Sequence, residues 1–572
     1  MPAGRLSQPQ GTMPSMVGDV AQPDTPALRK SRGAYFTPEP VAKYITNWAV
    51  QSPTDRVLEP SCGEAAFLTA AVDRLADLTK GARTTDSPPT LDGIELHPAS
   101  AQAARDLLSA RGVDARVEVG DFFCVEPTGS YDAVIGNPPY IRYQDFTGPA
   151  RSRSRAAALR AGVGLTNLAS SWAAFVVHSA LFLREGGRMG LVLPAELLSV
   201  NYAGEVRSFL LRTFKHVDLV LFTERVFPDA QEEVVLLLAD GYKRGPTDHA
   251  SIYQSRNAAE LATIAAGRTW KPTDPQGKWT PSLLSADALD VYSGLLADER
   301  FTILETWGDT TLGMVTGNNK FFALSPARVA ELKLKQSDLL RLSPPGSRHL
   351  RGLSFTEFAL DELGKAGSAV WLFRPSDEPS KAALDYIAIG EAAGVNTAYK
   401  CRVRKPWWRV PKLAPADLLL TYMNADTPRL STNSAKAGHL NSVHGVYLKP
   451  KHRKLGASLL PLSSLTSMTL VGAETVGRAY GGGMLKLEPR EADRLPVPPP
   501  ALVEAAKDSL YKVRPQVAAQ LRSGKLVEAA KLVDDVLLVG ELGMKRADVR
   551  ALRDAHAELT ARRSARGRRG ED

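Results

Sequence analysis

Cysteine is scarce in this chain. Its three copies, Cys62, Cys124 and Cys401, are spread over 572 residues, which excludes a disulfide framework and a cysteine-ligated cluster. The nine histidines form no cluster with them, so no metal is expected. Long apolar runs are missing as well. No stretch approaches the roughly 20 residues of a membrane-spanning helix. The N-terminal segment, rich in Pro, Gly, Ser and Gln, lacks the apolar core of a signal peptide. A reducing cytoplasm is therefore the expected setting. No loop combines several glycines with a Lys-Ser/Thr pair, which excludes a triphosphate-cradling Walker loop. Charge of one sign is in mild excess only: 71 Lys and Arg against 62 Asp and Glu give +9, compatible with a polyanionic partner but weak alone. What is present is globular. The length predicts two or three domains, and 44% hydrophobic residues suffice for buried cores.

The rest of the chain is organised around Tyr131-Asp132-Ala133-Val134-Ile135-Gly136-Asn137-Pro138-Pro139-Tyr140. An apolar strand ends in a rigid polar tetrapeptide. Two consecutive prolines fix φ and hold the preceding residue extended. The Asn137 amide and the Pro138 carbonyl then point in nearly constant directions, with the flat face of Tyr140 beside them. Together they form a cradle for a planar group carrying an NH2.

Around this stretch the spacing predicts a doubly wound α/β domain. Gly33-Ala34-Tyr35-Phe36-Thr37-Pro38 leads into a helix, with Thr37 as N-cap and Pro38 at the first helical position. Arg56-Val57-Leu58-Glu59 is a strand. Pro60-Ser61-Cys62-Gly63-Glu64-Ala65 turns it into a helix reaching Leu75, a nucleotide-sized site. A second strand, 91–95, ends in Glu95, an acid placed to take ribose hydroxyls. A helix at Pro98–Ala110 and a third strand at 115–119 run into Asp121. The successive strand ends thus offer Glu59, Glu95, Asp121 and Asn137 to one crevice. Residues 141–165, with Arg142, Arg151, Arg153, Arg155 and Arg160, are read either as a mobile loop at the site or as a charged surface helix. An apolar helix over 172–183 is stopped by Glu185-Gly186-Gly187. Strands follow at 188–193, 217–222 and 233–239, and 224–230 is a loop.

Beyond about residue 305 the periodicity loosens. Thr316-Gly317-Asn318-Asn319-Lys320 opens this region. Tyr399-Lys400-Cys401-Arg402-Val403-Arg404-Lys405-Pro406-Trp407-Trp408 mixes cations with aromatics in a way suited to phosphates and bases; an amphipathic strand with snorkelling cations is the less favoured alternative. Arg478-Ala479-Tyr480-Gly481-Gly482-Gly483 is either a close backbone approach to a ligand or a hairpin. A charged helical segment and a basic tail around 562–569 end the sequence, the tail touching DNA nonspecifically or left unpartnered.

These residues together resemble the gamma-class, TaqI-like N6-adenine DNA methyltransferases. The order is shared: Tyr-Phe-Thr-Pro, donor loop, Asn-Pro-Pro-Tyr, target-recognition region. The C-terminal half looks most like the modification methylases of PstI/BsuBI-type systems. The family's donor loop commonly carries a second glycine where this chain has Ala65. The resemblance implies a Rossmann-like, S-adenosylmethionine-dependent class I domain at 33–245, after a flexible leader at 1–32. It further implies a connector at 246–304, a mixed α+β target-recognition domain at 305–497, helices at 498–563 and the tail at 564–572. By the same resemblance Asn137, Pro138, Pro139 and Tyr140 are catalytic. Thr37, Glu59, Pro60, Cys62 and Gly63 hold the donor's methionine part and Glu95 its ribose. Asp121 and the Phe122 backbone N–H bind the donor's adenine between Leu96 and Phe175. Tyr140 and Phe227, in Val226-Phe227-Pro228, stack on the target base. Asn318, Lys320, Lys400, Arg402, Arg404, Trp407 and Arg478 are expected to contact DNA. The expected activity is site-specific N6 methylation of a flipped adenine in duplex DNA by a cytoplasmic monomer. Because no Pro-Asp…Asp/Glu-x-Lys pattern occurs in a separate domain, cutting is assigned to a separate restriction endonuclease. An N-methyltransferase acting on RNA adenine or on a protein glutamine is the alternative.

Overall fold

Short β-branched and leucine-rich runs, separated by amphipathic helices, assemble one large sheet. The computed structural model describes residues 37–80, 90–224, 226–227, 233–272 and 274–567. The leader at 1–32, Tyr35, Phe36, Pro228 and the end of the basic tail lie outside the described residues. The chain divides into two units, Met1–Leu197 with Tyr202–Gly277, and Leu198–Asn201 with Lys278–Asp572.

In the first unit the strands are Val57–Glu59 (β1), Leu91–Glu95 (β2), Arg116–Val119 (β3), Tyr131–Gly136 (β4), Leu183–Pro194 (β5), Phe214–Phe222 (β6), Val234–Tyr242 (β7), Ala250–Ser255 (β8) and Arg268–Trp270 (β9). Their order is β3-β2-β1-β4-β5-β7-β6-β8-β9. From β3 to β5 all pairs are parallel, and β7 enters antiparallel between β5 and β6. The order reverses between β1 and β4, and that is where an open α/β sheet leaves a crevice at the strand ends. The helices are Glu39–Ala49 (α1), Ala66–Lys80 (α2), Pro98–Ala110 (α3), Gly148–Leu159 (α4), Ser171–Leu181 (α5) and Gly204–Thr213 (α6). Apolar faces of α1, α2 and α3 bury Val41, Ile45, Phe67, Leu68, Ala104 and Leu108 in one core with Val57, Ile135 and Leu236.

Three expectations change here. Pro38, not Thr37, is the N-cap of α1, and no side chain caps the helix; the Thr37 hydroxyl is engaged elsewhere. The glycines at 186–187 do not end an element before β5. They form an excursion within it, with Gly186 at φ +76° and the pairing jumping from Tyr131↔Leu183 to Ala133↔Arg188. The expected connector at 246–304 carries β8, parallel to β6, and β9, so the first unit runs to Gly277 rather than ending near 245.

The second unit is mixed α+β. A four-stranded antiparallel sheet runs in the order Gly308–Leu312, Val443–Leu448, Leu418–Thr421, Leu430–Thr432. The helices Lys507–Arg522 and Leu526–Asp534 bury Leu510, Val517, Leu521, Ala529 and Val533 in one core with Leu418, Leu420, Val446 and Leu448 of that sheet. Spacings of seven and four along Leu510, Val517 and Leu521 put one helix face inward. Among the described residues no single helix is long and apolar enough to cross a membrane.

Candidate active site

The loop after β1 turns sharply. Gly63 has φ +52° and Ala65 φ +65°, and the Ala65 N–H donates to the Cys62 carbonyl at 2.7 Å. Ala65, where a second glycine is common in the resembling family, thus takes the left-handed conformation a glycine would supply. That conformation costs an L-residue about 1–2 kcal/mol. Its methyl is fully buried, which returns roughly 0.8 kcal/mol. Ala65→Gly is therefore expected to leave melting and donor affinity almost unchanged, since the two terms nearly cancel. Ala65→Val adds overpacking of about 1–3 kcal/mol to the backbone strain, and a thermal melt should show the loss.

Glu95 holds this loop. One carboxylate oxygen accepts the Gly63 N–H at 2.9 Å and the other accepts the His97 N–H at 2.8 Å. Glu59 points the other way, under the loop, and accepts the Leu68 N–H at 3.0 Å in the first turn of α2. Burial pushes its carboxyl well above the usual range, so Glu59 supports the loop from below rather than presenting an open anion. Pro60 is buried. Cys62 is buried against β2, where a Cβ on Gly93 would lie 3.0 Å from its sulfur. Burial, and then the neighbouring Glu59 and Glu95, push the Cys62 thiol far up, so the residue packs and is no nucleophile.

Beyond Glu95, Leu96 is 68% exposed. Asp121 caps the turn Phe122–Cys124, accepting the Phe123 N–H at 3.0 Å, and meets the Arg153 guanidinium at 2.8 Å. Phe175 is buried, its ring stacked on Phe122 with centroids 5.3 Å apart. A residue that sequence reasoning passed over supports this wall. His178, one turn beyond Phe175's neighbours on α5, is fully buried with Nε2 3.1 Å from the Phe122 carbonyl and 3.2 Å from that of Val125. Burial lowers its pKa to about 4, so at neutral pH the ring is uncharged and donates from Nε2.

At the end of β4, the Asn137 side-chain nitrogen donates to the Thr37 hydroxyl at 3.2 Å. The Tyr140 hydroxyl lies 2.7 Å from Asn137 Oδ1 and 2.9 Å from the Val192 carbonyl of β5. Pro138 is buried, whereas Asn137, Pro139 and Tyr140 are half-buried. Asn137 therefore sits at the crevice with its amide oriented from two sides, and is not packed into the interior. Phe227 is only 5% exposed. It belongs to the apolar cluster against which Tyr140 packs, which corrects its expected place as an open stacking face.

The basic stretch after Tyr140 is helix α4, and its arginines are engaged. Arg151 donates to the Phe146 and Tyr143 carbonyls, Arg155 to the Leu165 carbonyl at 3.0 Å and Asn167 at 2.7 Å, and Arg160 to Glu126 at 2.7 Å.

Residues 22–264 match the family model described as N-6 DNA Methylase, and residues 276–538 match the C-terminal domain of the type II methyltransferase M.Eco57I. Over residues 22–264 the chain is similar to the N-6 DNA methylases, and over 276–538 to the C-terminal domain of a type II methyltransferase. Two relatives span most of it. Type II methyltransferase M.AccI of Acinetobacter calcoaceticus is 22% identical, and M.XamI of Xanthomonas campestris pv. amaranthicola is 26% identical. Each alignment covers 82% of this chain and 85% of the relative. Among solved structures, the type IIL restriction-modification enzyme MmeI in complex with DNA shares the fold, with a TM-score of 0.53 at 12% identity over 91% of this chain and 75% of that one.

In the methylase's second unit the expected DNA contacts divide. Gly317, at φ +89°, lies so close to Cys401 that a Cβ would be 3.0 Å from its sulfur, and this joins the two motifs into one surface. Lys320, Lys400 and Arg402 are exposed there. Lys320 borders a cleft of about 530 Å³ with Asn318, Arg328 and Ile389. Asn318 caps a short helix through the Phe321 N–H at 3.1 Å. Arg404 is turned inward, donating to the Val315 carbonyl at 3.0 Å and to that of Thr316, over the Phe322 ring. Trp407 donates to Glu391 at 2.9 Å and packs on Phe321. Arg478 pairs with Glu491 at 2.8 Å. Each of these last three is half-buried and engaged within the unit. The glycine-rich stretch is the hairpin turn between Arg478–Tyr480 and Met484–Lys486, with Gly482 and Gly483 at positive φ.

Proposed function

We propose that this methylase transfers a methyl group from S-adenosylmethionine to the N6 amine of an adenine extruded from duplex DNA at one recognition sequence. In this reading it is the modifying partner of a separate restriction endonuclease and works as a cytoplasmic monomer. The observation that carries the reading is the Asn137 amide, half-buried at the tip of β4 and oriented by Thr37 and Tyr140. The motif order supports a gamma-class assignment, and the likeness to the type II methyltransferases M.AccI and M.XamI supports type II modification.

The neighbouring strand tips fit the donor. Carboxylates at Glu95 and Asp121 accept from hydroxyls and an amine, and the exposed Leu96 offers an apolar face to a base. When bound, the donor supplies an electrophilic methyl on a sulfonium. The chain's own residues do the rest. Adenine N6 is a poor nucleophile because its lone pair is delocalised into the ring. Acceptance of its two N–H bonds, by Asn137 Oδ1 and the Pro138 carbonyl, favours a pyramidal nitrogen with a localised lone pair. It also stabilises the positive charge that develops there. Extrusion from the duplex is required for access, and stacking on Tyr140, about 1–3 kcal/mol per base in single-strand binders, offsets part of the unstacking. Lys320, Lys400 and Arg402 contact phosphates in this reading.

Incubating the protein with methyl-labelled donor and duplex DNA, RNA or a glutamine-bearing translation factor tests the proposal. Label is expected in DNA, released on digestion as N6-methyladenine. Label confined to RNA or protein would replace this reading with the corresponding one.

A further inference from the structure

The two prolines that stiffen the catalytic loop also strip it of handles. Neither Pro138 nor Pro139 has an N–H, so between Asn137 and Tyr140 the backbone offers only carbonyls for anchoring. The first complete handle is the pair that flanks Tyr140, namely the Pro139 carbonyl and the Ile141 amide.

One residue takes both. Ser171, the first residue of α5, is 1% exposed. Its hydroxyl donates to the Pro139 carbonyl and accepts the Ile141 N–H at 2.9 Å. Its own N–H donates to the Ile141 carbonyl at 3.0 Å. Tyr140 is thus fixed at its backbone by α5 and at its hydroxyl by Val192 of β5. The α5 start is itself anchored. The Trp172 indole N–H lies 3.1 Å from Glu196 and 3.1 Å from the Tyr202 hydroxyl, which in turn donates to Glu196 at 2.6 Å. One turn on, at i+4 and so on the same helix face, is Phe175 in the aromatic wall beside Asp121.

We propose that Ser171 is a positioning residue for methyl transfer: through its hydroxyl it sets the plane of the Tyr140 ring on which the extruded base rests, and through α5 it holds that ring in register with the donor wall. The inference rests on the adenine reading above. It assigns Ser171 no contact with substrate. A misplacement of about 1 Å at a reacting centre can cost 10²-fold in rate, and a tyrosine released at its backbone would move on that scale.

The test compares Ser171→Ala with Ser171→Thr in the full-length protein. For Ser171→Ala, kcat on duplex DNA is expected to fall about 10- to 100-fold, with the S-adenosylmethionine dissociation constant unchanged and the thermal midpoint lowered by only a few degrees, as for one lost buried hydrogen-bonding partner. The hydroxyl-bearing Ser171→Thr should recover most of kcat. Should the threonine pack badly, Ser171→Cys, a weaker donor of similar size, is expected to fall between serine and alanine. Full kcat in Ser171→Ala would overturn the proposal. So would a loss of donor binding as large as the loss of kcat, because that pattern marks a purely structural serine. Asn137→Ala run alongside separates the two readings. If it is inactive while Ser171→Ala is fully active, the inference alone fails. If Asn137→Ala is fully active, the adenine reading fails.

Discussion

Replacing Asn137 by alanine is expected to lower methyl transfer to DNA by about 10²- to 10³-fold, the usual consequence of removing one group aimed at developing charge. The dissociation constant for S-adenosylmethionine should stay within about twofold, as for an interaction made only in the transition state. The structure makes the separation clean. Asn137 stands at the tip of β4, bonded to Thr37 and Tyr140. The donor loop is held by a different residue, Glu95, through Gly63. Losing the amide therefore removes an acceptor for the target amine without loosening the turn at Gly63 and Ala65. Asn137→Asp is the sharper companion. A carboxylate keeps the acceptor oxygen but cannot donate to Thr37, so its residual activity reports how far orientation of the amide matters beyond its charge. Single-turnover rates with saturating donor, alongside donor binding by calorimetry, are the measurements.

The second large effect is on stability. Arg563 lies in the long C-terminal helix Arg546–Gly567 and looks, in the sequence, like part of a basic tail. It is 3% exposed. Its guanidinium pairs with buried Glu474 at 2.8 Å and donates to the Asp426 carbonyl at 2.8 Å, the Ala425 carbonyl at 3.2 Å and the Gly483 carbonyl at the hairpin turn. Arg563→Ala leaves an uncompensated buried carboxylate and unpaired carbonyls. Removing one partner of such a pair costs about 3–5 kcal/mol, and at roughly 2–4 °C per kcal/mol for a unit of this size the midpoint should fall by ~10 °C. The double variant Arg563→Met with Glu474→Leu should recover most of that loss, because it removes both charges from the interior. Recovery would identify the unpaired charge, rather than lost helix packing, as the cause.

How much was legible in the sequence differs between the two units for a physical reason. In the first unit the candidate site lies at strand ends, and strand ends are written locally: an apolar run, then the polar residue that stops it. Glu95, Asp121 and Asn137 could be placed at one crevice because a parallel sheet brings such ends together whatever the loops do. Thr37 and Glu59 show the limit. The family resemblance placed both at the donor's methionine part; in the structure Thr37 bonds Asn137 and Glu59 bonds the α2 backbone. Which of two nearby partners a short side chain chooses depends on tenths of an ångström. Ser171 was invisible for a related reason, since one serine in an apolar helix start says nothing about a loop 30 residues earlier.

In the second unit, cations interleaved with aromatics read as an interface. The partners that engage three of them within the chain are remote: Glu391 for Trp407, Glu491 for Arg478, and the Val315 and Thr316 carbonyls for Arg404. Composition alone does not distinguish an arginine aimed at phosphate from one aimed at a carbonyl of its own chain. The glycine run at 481–483 resolved as a hairpin because it separates two short strands that pair in register. Arg562 and Arg563 lie where the expected helical segment and the basic stretch overlap, and the helix continues through them to Gly567.

The central claim is that the Asn137–Tyr140 loop receives an adenine outside the duplex. Once sequencing of methylated adenines has mapped the recognition site, 2-aminopurine placed at the target position reports extrusion directly. A marked rise in fluorescence is expected on binding the wild-type protein, retained in Asn137→Ala, which keeps the Tyr140 ring. Tight binding with no rise in fluorescence would contradict it.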